Sequence, residues 1–100
     1  MNRGAKDLLR HLLAKRCIGG KHIPESIVMA HLVFGLDRNR RRELEKDYRD
    51  LLNNGTIMRM KKRTGKGSDW HISLNPRKMD EIYWILREGG KDEDSNWDFL

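Results

Sequence analysis

The chain has 100 residues, of which 37% are hydrophobic and 36% are charged, so it is long enough for one domain with one small core. Its formal net charge of +6 favours polyanionic partners, above all nucleic acid. There is no run of about 18 apolar residues, no apolar core of a signal peptide and only one cysteine, so we expect a cytoplasmic protein without a membrane span or an internal disulfide.

Two helices are predicted in the first third of the chain. The first has one apolar stripe and should end at Gly19-Gly20. The residues of this stripe are Ala5, Leu8, Leu9, Leu12 and Leu13. The three residues before Pro24 form a short extended link, and Pro24 suits the first turn of the second helix. Because residues 27–34 are apolar almost all round, we expect the second helix to be the most buried element, with Gly35 ending it.

The third helix is predicted to begin after Asp37 or Asn39, both good N-caps, and to end at Gly55. Its predicted buried stripe is Leu44, Tyr48, Leu51 and Leu52. Residues 56–62 and 70–74 are predicted strands around a polar loop that contains glycine, which indicates a β-hairpin.

A last helix is predicted after Asn75-Pro76, which supply an N-cap and a proline at the first helical position. Its predicted inward stripe is Met79, Ile82, Tyr83 and Leu86. We expect Gly89-Gly90 to end this helix and to release a short tail.

This order of helix, short strand, helix, helix, hairpin and helix resembles the winged-helix family, in which a hairpin "wing" follows the recognition helix of a helix-turn-helix. The similarity covers about residues 5–88, and its most specific part looks like the helix end, glycine, strand, wing and returning strand of MarR-type and related repressors. The residues that carry it are Tyr48, Leu51, Gly55, Thr56, Ile57, Arg59-Met60-Lys61-Lys62, Gly65 and Trp70 to Leu74.

The resemblance implies an α+β, mostly α fold: a winged helix-turn-helix domain over residues 1–90, followed by an acidic, aromatic tail over 91–100. One interval departs from the MarR-type pattern. Gly35 to Gly55 is a few residues longer than usual, so either the third helix has an extra turn or the connecting turn is enlarged.

The third helix has an outward face rich in hydrogen-bond donors. With Leu44 as the inward direction, at about 100° per residue, a row of donors falls opposite. The predicted DNA contacts from this helix are Arg38, Arg41, Arg42, Lys46, Arg49 and Asn53. Arg and Lys bind phosphates, Arg forks onto guanine, and Asn pairs with adenine.

The alternative is a solvated face with intrahelical ion pairs, since acidic residues flank the row. These flanking residues are Glu43, Glu45, Asp47 and Asp50. Residues 38–66 hold eleven Lys and Arg against four Asp and Glu, a local net charge of +7 that favours nucleic-acid binding.

The stretch Gly65-Lys66-Gly67-Ser68 invites comparison with a phosphate-binding loop. Such a loop needs Gly, four residues and then Gly-Lys-Ser/Thr, on a turn from a strand into a helix. Here Met60 takes the first glycine's position, and a predicted strand follows. We therefore interpret the stretch as the tip of a wing, with a polar turn of no function as the alternative. The predicted backbone-clamping residues are Lys61, Lys62, Arg63 and Lys66.

The last helix and the tail carry exposed apolar residues that indicate a contact surface. The predicted dimer or partner interface is Trp84, Ile85, Trp97 and Phe99. A homodimer would match a palindromic DNA site. The alternative is that Trp84 packs on the returning part of its own chain. The tail has three interpretations: docking on Trp84 of its own or a twin subunit, which we favour, competition for the basic face, or recruitment of another protein.

The sequence therefore predicts a small transcription regulator that binds double-stranded DNA, either reading sequence or holding the backbone. No enzymatic constellation, cofactor or metal is expected, because the histidines lie on different elements without carboxylate partners and Cys17 lacks the paired spacing of a zinc site. Two alternatives stay open: a protein-interaction module on the same fold in a transcription or replication assembly, and RNA binding through the same basic face.

Overall fold

The structure is a computed structural model that describes residues 3–64 and 67–91, with side chains described for 3–63 and 69–87. In chain order its elements are α1 (Arg3–Ala14), β1 (Ile23–Pro24), α2 (Glu25–Val33), α3 (Arg38–Asn53), β2 (Ile57–Thr64), β3 (Gly67–Leu74) and α4 (Met79–Lys91). The strands form one antiparallel sheet in the order β1-β3-β2. The predicted α+β class, mostly helical, and the predicted order of elements are confirmed.

The first helix, α1, is the centre of the core and contacts α2, α3, α4 and β3. Leu8, Leu9 and Leu12 are fully buried, and each buried leucine contributes about 1.5–3 kcal/mol to stability. The predicted end at Gly19-Gly20 is wrong, because α1 already ends at Ala14. The chain then turns so that the Cys17 carbonyl accepts from the Leu74 amide at 2.8 Å, which joins this loop to β3.

The second helix, α2, is not the most buried element, and that prediction is wrong. Only Val28 is buried in it, whereas Ile27 is exposed and Phe34, directly after the helix, is 88% exposed. The cause is size: nine residues that pack on α1 and β3 along one side have no further layer to cover the other side.

The third helix follows the prediction closely. The Asp37 carboxylate caps it by accepting from the Arg40 amide at 2.8 Å, and Gly55 reverses the chain with φ of +81°. Its 16 residues follow a connection of only residues 34–37, so the longer interval is explained by a longer helix. Leu44, Tyr48 and Leu51 are buried, while Leu52 is half-buried. Asp47, predicted to flank the outward row, is instead buried.

The hairpin is longer than predicted. Its register runs from Ile57 opposite Leu74 to Thr64 opposite Gly67, so only residues 65 and 66 lie between the paired strands. The sequence signal for a strand fades before the pairing ends, because the added paired residues are charged, polar or glycine rather than apolar: Arg63, Thr64, Gly67, Ser68 and Asp69. The short strand β1 pairs with β3 near the base of the hairpin, where Ile23 lies opposite Ile72.

The last helix begins as predicted, with the Asn75 side chain accepting from the Arg77 amide at 3.0 Å before a 3-10 turn. It continues through Gly89 and Gly90 to Lys91, so the predicted end is wrong. Each glycine costs a helix about 1 kcal/mol, and the burial of Ile82, Ile85 and Leu86 in the same helix can offset that cost.

The inward face of α4 also differs from the prediction. Ile82 and Leu86 are buried as expected, but Ile85 is only 7% exposed and Tyr83 is 47% exposed. Ile85 therefore belongs to the core and is unavailable as an interface residue. Trp84 is exposed as predicted. The other two predicted interface residues, Trp97 and Phe99, lie outside the described residues.

Candidate nucleic-acid interface

The outward face of α3 carries the predicted row of donors. All six predicted side chains are exposed: Arg38, Arg41, Arg42, Lys46, Arg49 and Asn53. Five of them follow one another at intervals of three or four residues, which aligns them along one side of the helix. The buried stripe of Leu44, Tyr48 and Leu51 holds this side away from the core.

Intrahelical ion pairs were the alternative explanation for these charges. Among the residues that the structure describes, none of the six takes part in an ion pair. The five cationic side chains among them therefore face solvent without an acidic partner in the described part of the chain. An anionic partner would meet donors that are already oriented outward, and its binding would break no ion pair within the described chain.

The hairpin that follows α3 adds a second group of exposed cations. Lys61, Lys62 and Arg63 are all exposed on β2. Because side chains alternate along a strand, Lys61 and Arg63 lie on one face of the hairpin and Lys62 on the other. Lys66, the fourth predicted residue of this group, lies outside the described residues. β3 follows the loop as a strand, which confirms the prediction that no helix starts there.

A partly buried network joins α2, α3 and β2. The Glu25 carboxylate accepts a hydrogen bond from the Tyr48 hydroxyl and pairs with Arg59 in two places. The two distances are 2.8 Å from Arg59 Nε to Glu25 Oε2 and 3.0 Å from Arg59 Nη2 to Glu25 Oε1. Burial, and then the hydrogen bond and charge of Glu25, raise the pKa of Tyr48 well above its usual range. The network fixes how α3 is oriented relative to the hairpin.

Sequence reasoning did not include Arg59 and Trp70 in the site. The Arg59 guanidinium lies 4.2 Å from the centroid of the Trp70 ring, and Lys61 Nζ lies 5.7 Å from it. Lys61 and Trp70 are also paired across the strands. The sequence could have indicated this contact only through the pairing of Lys61 with Trp70 across the strands, and that register depends on the length of the loop between them. Trp70 is exposed, so the basic face of the hairpin has an aromatic ring between its cations.

The four histidines lie in different parts of the fold, as predicted, and meet in space as two pairs. His11 of α1 and His31 of α2 have ring centroids 4.9 Å apart, and His22 Nδ1 lies 2.8 Å from His71 Nδ1. Burial, the nearby His31 and the nearby Lys15 lower the pKa of His11, in that order of importance. Within the described residues, no group of three or more His, Cys, Asp and Glu side chains could hold a metal ion.

Among the helices that the structure describes, none has the length and apolar character needed to cross a membrane. Comparison of the chain with protein-family models, with curated proteins and with solved structures found no match. The function must therefore be inferred from the residues of the surface itself.

Proposed function

We propose that this chain is a small winged-helix transcription regulator that binds double-stranded DNA, with α3 in the major groove and the β2–β3 hairpin on the backbone. The main support is the surface of α3: an aligned row of exposed donors, none in an ion pair with a described residue, next to a hairpin with three further exposed cations. The order of elements and the β1-β3-β2 sheet are consistent with a winged helix.

The dimensions of α3 suit the major groove of B-DNA, which is about 12 Å wide and admits one helix. At about 1.5 Å per residue, a helix of this length extends about 24 Å and can follow the groove past several base pairs. In this proposal Arg42 and Arg49 fork onto guanine or phosphate, Lys46 binds phosphate, and Asn53 pairs with adenine.

The hairpin supplies the contacts that depend least on sequence. Lys61, Lys62 and Arg63 would neutralise phosphates and release counterions, so their contribution should fall steeply as salt is raised. The Glu25–Tyr48–Arg59 network keeps the hairpin in a constant position relative to α3. DNA would thus be held by two elements whose relative position is set before binding, which lowers the entropy cost of the complex.

The test is a double charge reversal on α3, R42E with R49E, measured by fluorescence anisotropy on duplex DNA across a salt series. Removing a base contact costs about 1–3 kcal/mol, so the two changes should weaken binding at least about 30-fold. The slope of log affinity against log salt should also become smaller, by about one for each phosphate that the variant no longer binds.

The matched control reverses the same number of charges elsewhere. Lys21 and Arg77 are exposed, and neither takes part in an ion pair with a described residue. The variant K21E with R77E therefore changes the net charge equally and should weaken binding only by its general electrostatic effect. Equal losses in the two double variants would contradict the assignment of α3. If the unaltered chain bound no duplex at low salt, the proposal would fail and the protein-interaction alternative would gain.

Single-stranded nucleic acid, DNA or RNA, is the second candidate partner, because Trp70 is exposed between the cations of the hairpin. Bases stack on such rings, and removing one ring costs about 1–3 kcal/mol per stacked base. The change W70A should leave duplex affinity nearly constant if α3 dominates. A loss confined to single strands, with single strands bound more tightly than duplex, would favour this candidate.

A further inference from the structure

The outer face of α4 carries four neighbouring side chains that the core does not use. Asp80, Tyr83, Trp84 and Arg87 follow the i, i+3, i+4, i+7 spacing of one helix face and line one shallow groove. Trp84 is 64% exposed, and Tyr83 beside it is also exposed. We call these four residues the α4 outer face. Two adjacent exposed aromatic rings between charges of opposite sign are typical of a protein contact surface.

The α4 outer face is complementary to itself. Asp80 and Arg87 are equally far along the helix from the midpoint between Tyr83 and Trp84. If two copies of α4 pair antiparallel about a two-fold axis through that midpoint, Asp80 of each copy faces Arg87 of the other. In the same register the two Tyr83 rings lie together on one side of the interface and the two Trp84 rings on the other.

We propose that this chain forms a homodimer through the α4 outer face in this register. The interface would hold two reciprocal ion pairs around a cluster of four aromatic rings. Among the described residues, neither Asp80 nor Arg87 takes part in an ion pair, whereas their neighbour Glu81 pairs with Lys78 at 3.6 Å. The two charges are thus available to a second copy.

The chemistry of the face favours a second copy over a different partner. A partner of another sequence would have to match an acid, two aromatic rings and a base in this order, and the antiparallel copy does so by symmetry alone. The face is one helix side, at the small end of specific interfaces, so the dimer should be weak and should dissociate on dilution. Such a dimer would carry two copies of the α3 surface, which suits two half-sites of DNA.

The test is a charge exchange on the full-length chain, followed by sedimentation equilibrium over a wide concentration range. In D80R both facing pairs become positive, and in R87D both become negative, so each variant alone should self-associate at least about tenfold more weakly. When the two variants are mixed, one engineered pair has opposite signs and the other pair is native. The mixture should therefore dimerise about as well as the unaltered chain.

Restoration in the mixture also shows that neither variant has failed to fold. The proposal is overturned if the full-length chain stays monomeric up to several hundred micromolar, or if the mixture of D80R and R87D associates no better than each variant alone. The tail is tested with W97A/F99A in the full chain, which should leave dimerisation unchanged. Loss of the dimer in that variant would make the tail the occupant of the face and would also overturn the proposal. None of these results depends on DNA binding.

Discussion

Replacing Tyr48 with phenylalanine tests the network that orients α3 against the hairpin. The change keeps the ring in the core and removes only the hydroxyl, which donates to the Glu25 carboxylate. A hydrogen bond to a charged group contributes about 1.5–3 kcal/mol. Glu25 would still pair with Arg59, and its side chain is 19% exposed and open to water. We therefore expect a loss around the lower end of that range, about 1–2 kcal/mol.

The assay is thermal and urea unfolding of Y48F at neutral pH. For a domain of this size, each kcal/mol lowers Tm by about 4–8 °C, so the midpoint should fall by about 5–15 °C. Tyr83 provides the control, because its ring is exposed and Y83F should change Tm by less than about 2 °C. Equal stability of Y48F and the unaltered chain would refute the assigned role of the hydroxyl.

Alkaline pH provides a second measurement on the same variant. The pKa of Tyr48 is raised in the folded chain above the ordinary value of about 10. Folding therefore favours the protonated hydroxyl. The stability that this preference contributes is fully present below pH of about 10 and is lost as pH rises further. The stability advantage of the unaltered chain over Y48F should shrink above that pH. A difference that stays constant up to pH of about 11 would contradict the buried, hydrogen-bonded hydroxyl.

Three further predictions concern stability. V28A should lower the free energy of unfolding by about 2 kcal/mol because Val28 is fully buried, whereas F34S should lower it by less than about 0.5 kcal/mol because Phe34 faces solvent. Urea unfolding of both variants measures the two losses. Similar losses would indicate that α2 is buried on both sides. G55A should lower the free energy of unfolding by about 1–2 kcal/mol in the same assay. An added Cβ would meet open space, but the φ of +81° at Gly55 disfavours any residue with a side chain. Unchanged stability would argue against the left-handed turn. The pKa of His11 is lowered on folding, so its contribution to stability is present above pH of about 6.5 and is lost as pH falls. When Tm is measured between pH 5 and 8, H11Q should therefore lose less stability at acidic pH than the unaltered chain. Parallel curves of Tm against pH would exclude His11 as the cause of the acid sensitivity.

Local pattern was enough for most of the secondary structure. Apolar spacing in α1 and α3, the Asp37 cap and the Asn75-Pro76 start each act within a few residues, and each prediction agrees with the structure. The exposed row of α3 was also predictable, because it follows from the helical period once the buried stripe is known. Its role in binding DNA stays a prediction.

The network at Glu25 was beyond the reach of such reasoning. Glu25 is 23 residues from Tyr48 and 34 residues from Arg59, so no spacing within one element connects them. Their meeting depends on how α2 lies over the sheet, which in turn depends on the packing of α1. The same holds for Trp70, whose neighbours are set by a register that only the paired strands define.

Local sequence is sufficient to specify which segments become helices and strands, because periodicity and capping are local properties. Packing between elements selects which apolar side chains enter the core. On α4 the apolar residues cover an arc wider than the contact with the core, and packing buried Ile85 and left Tyr83 exposed. On α2 apolar side chains surround the helix, yet contact on one side left Phe34, at its end, in solvent. The physical reason is that helical periodicity specifies directions around a helix, and only the neighbouring elements determine which of those directions is inward.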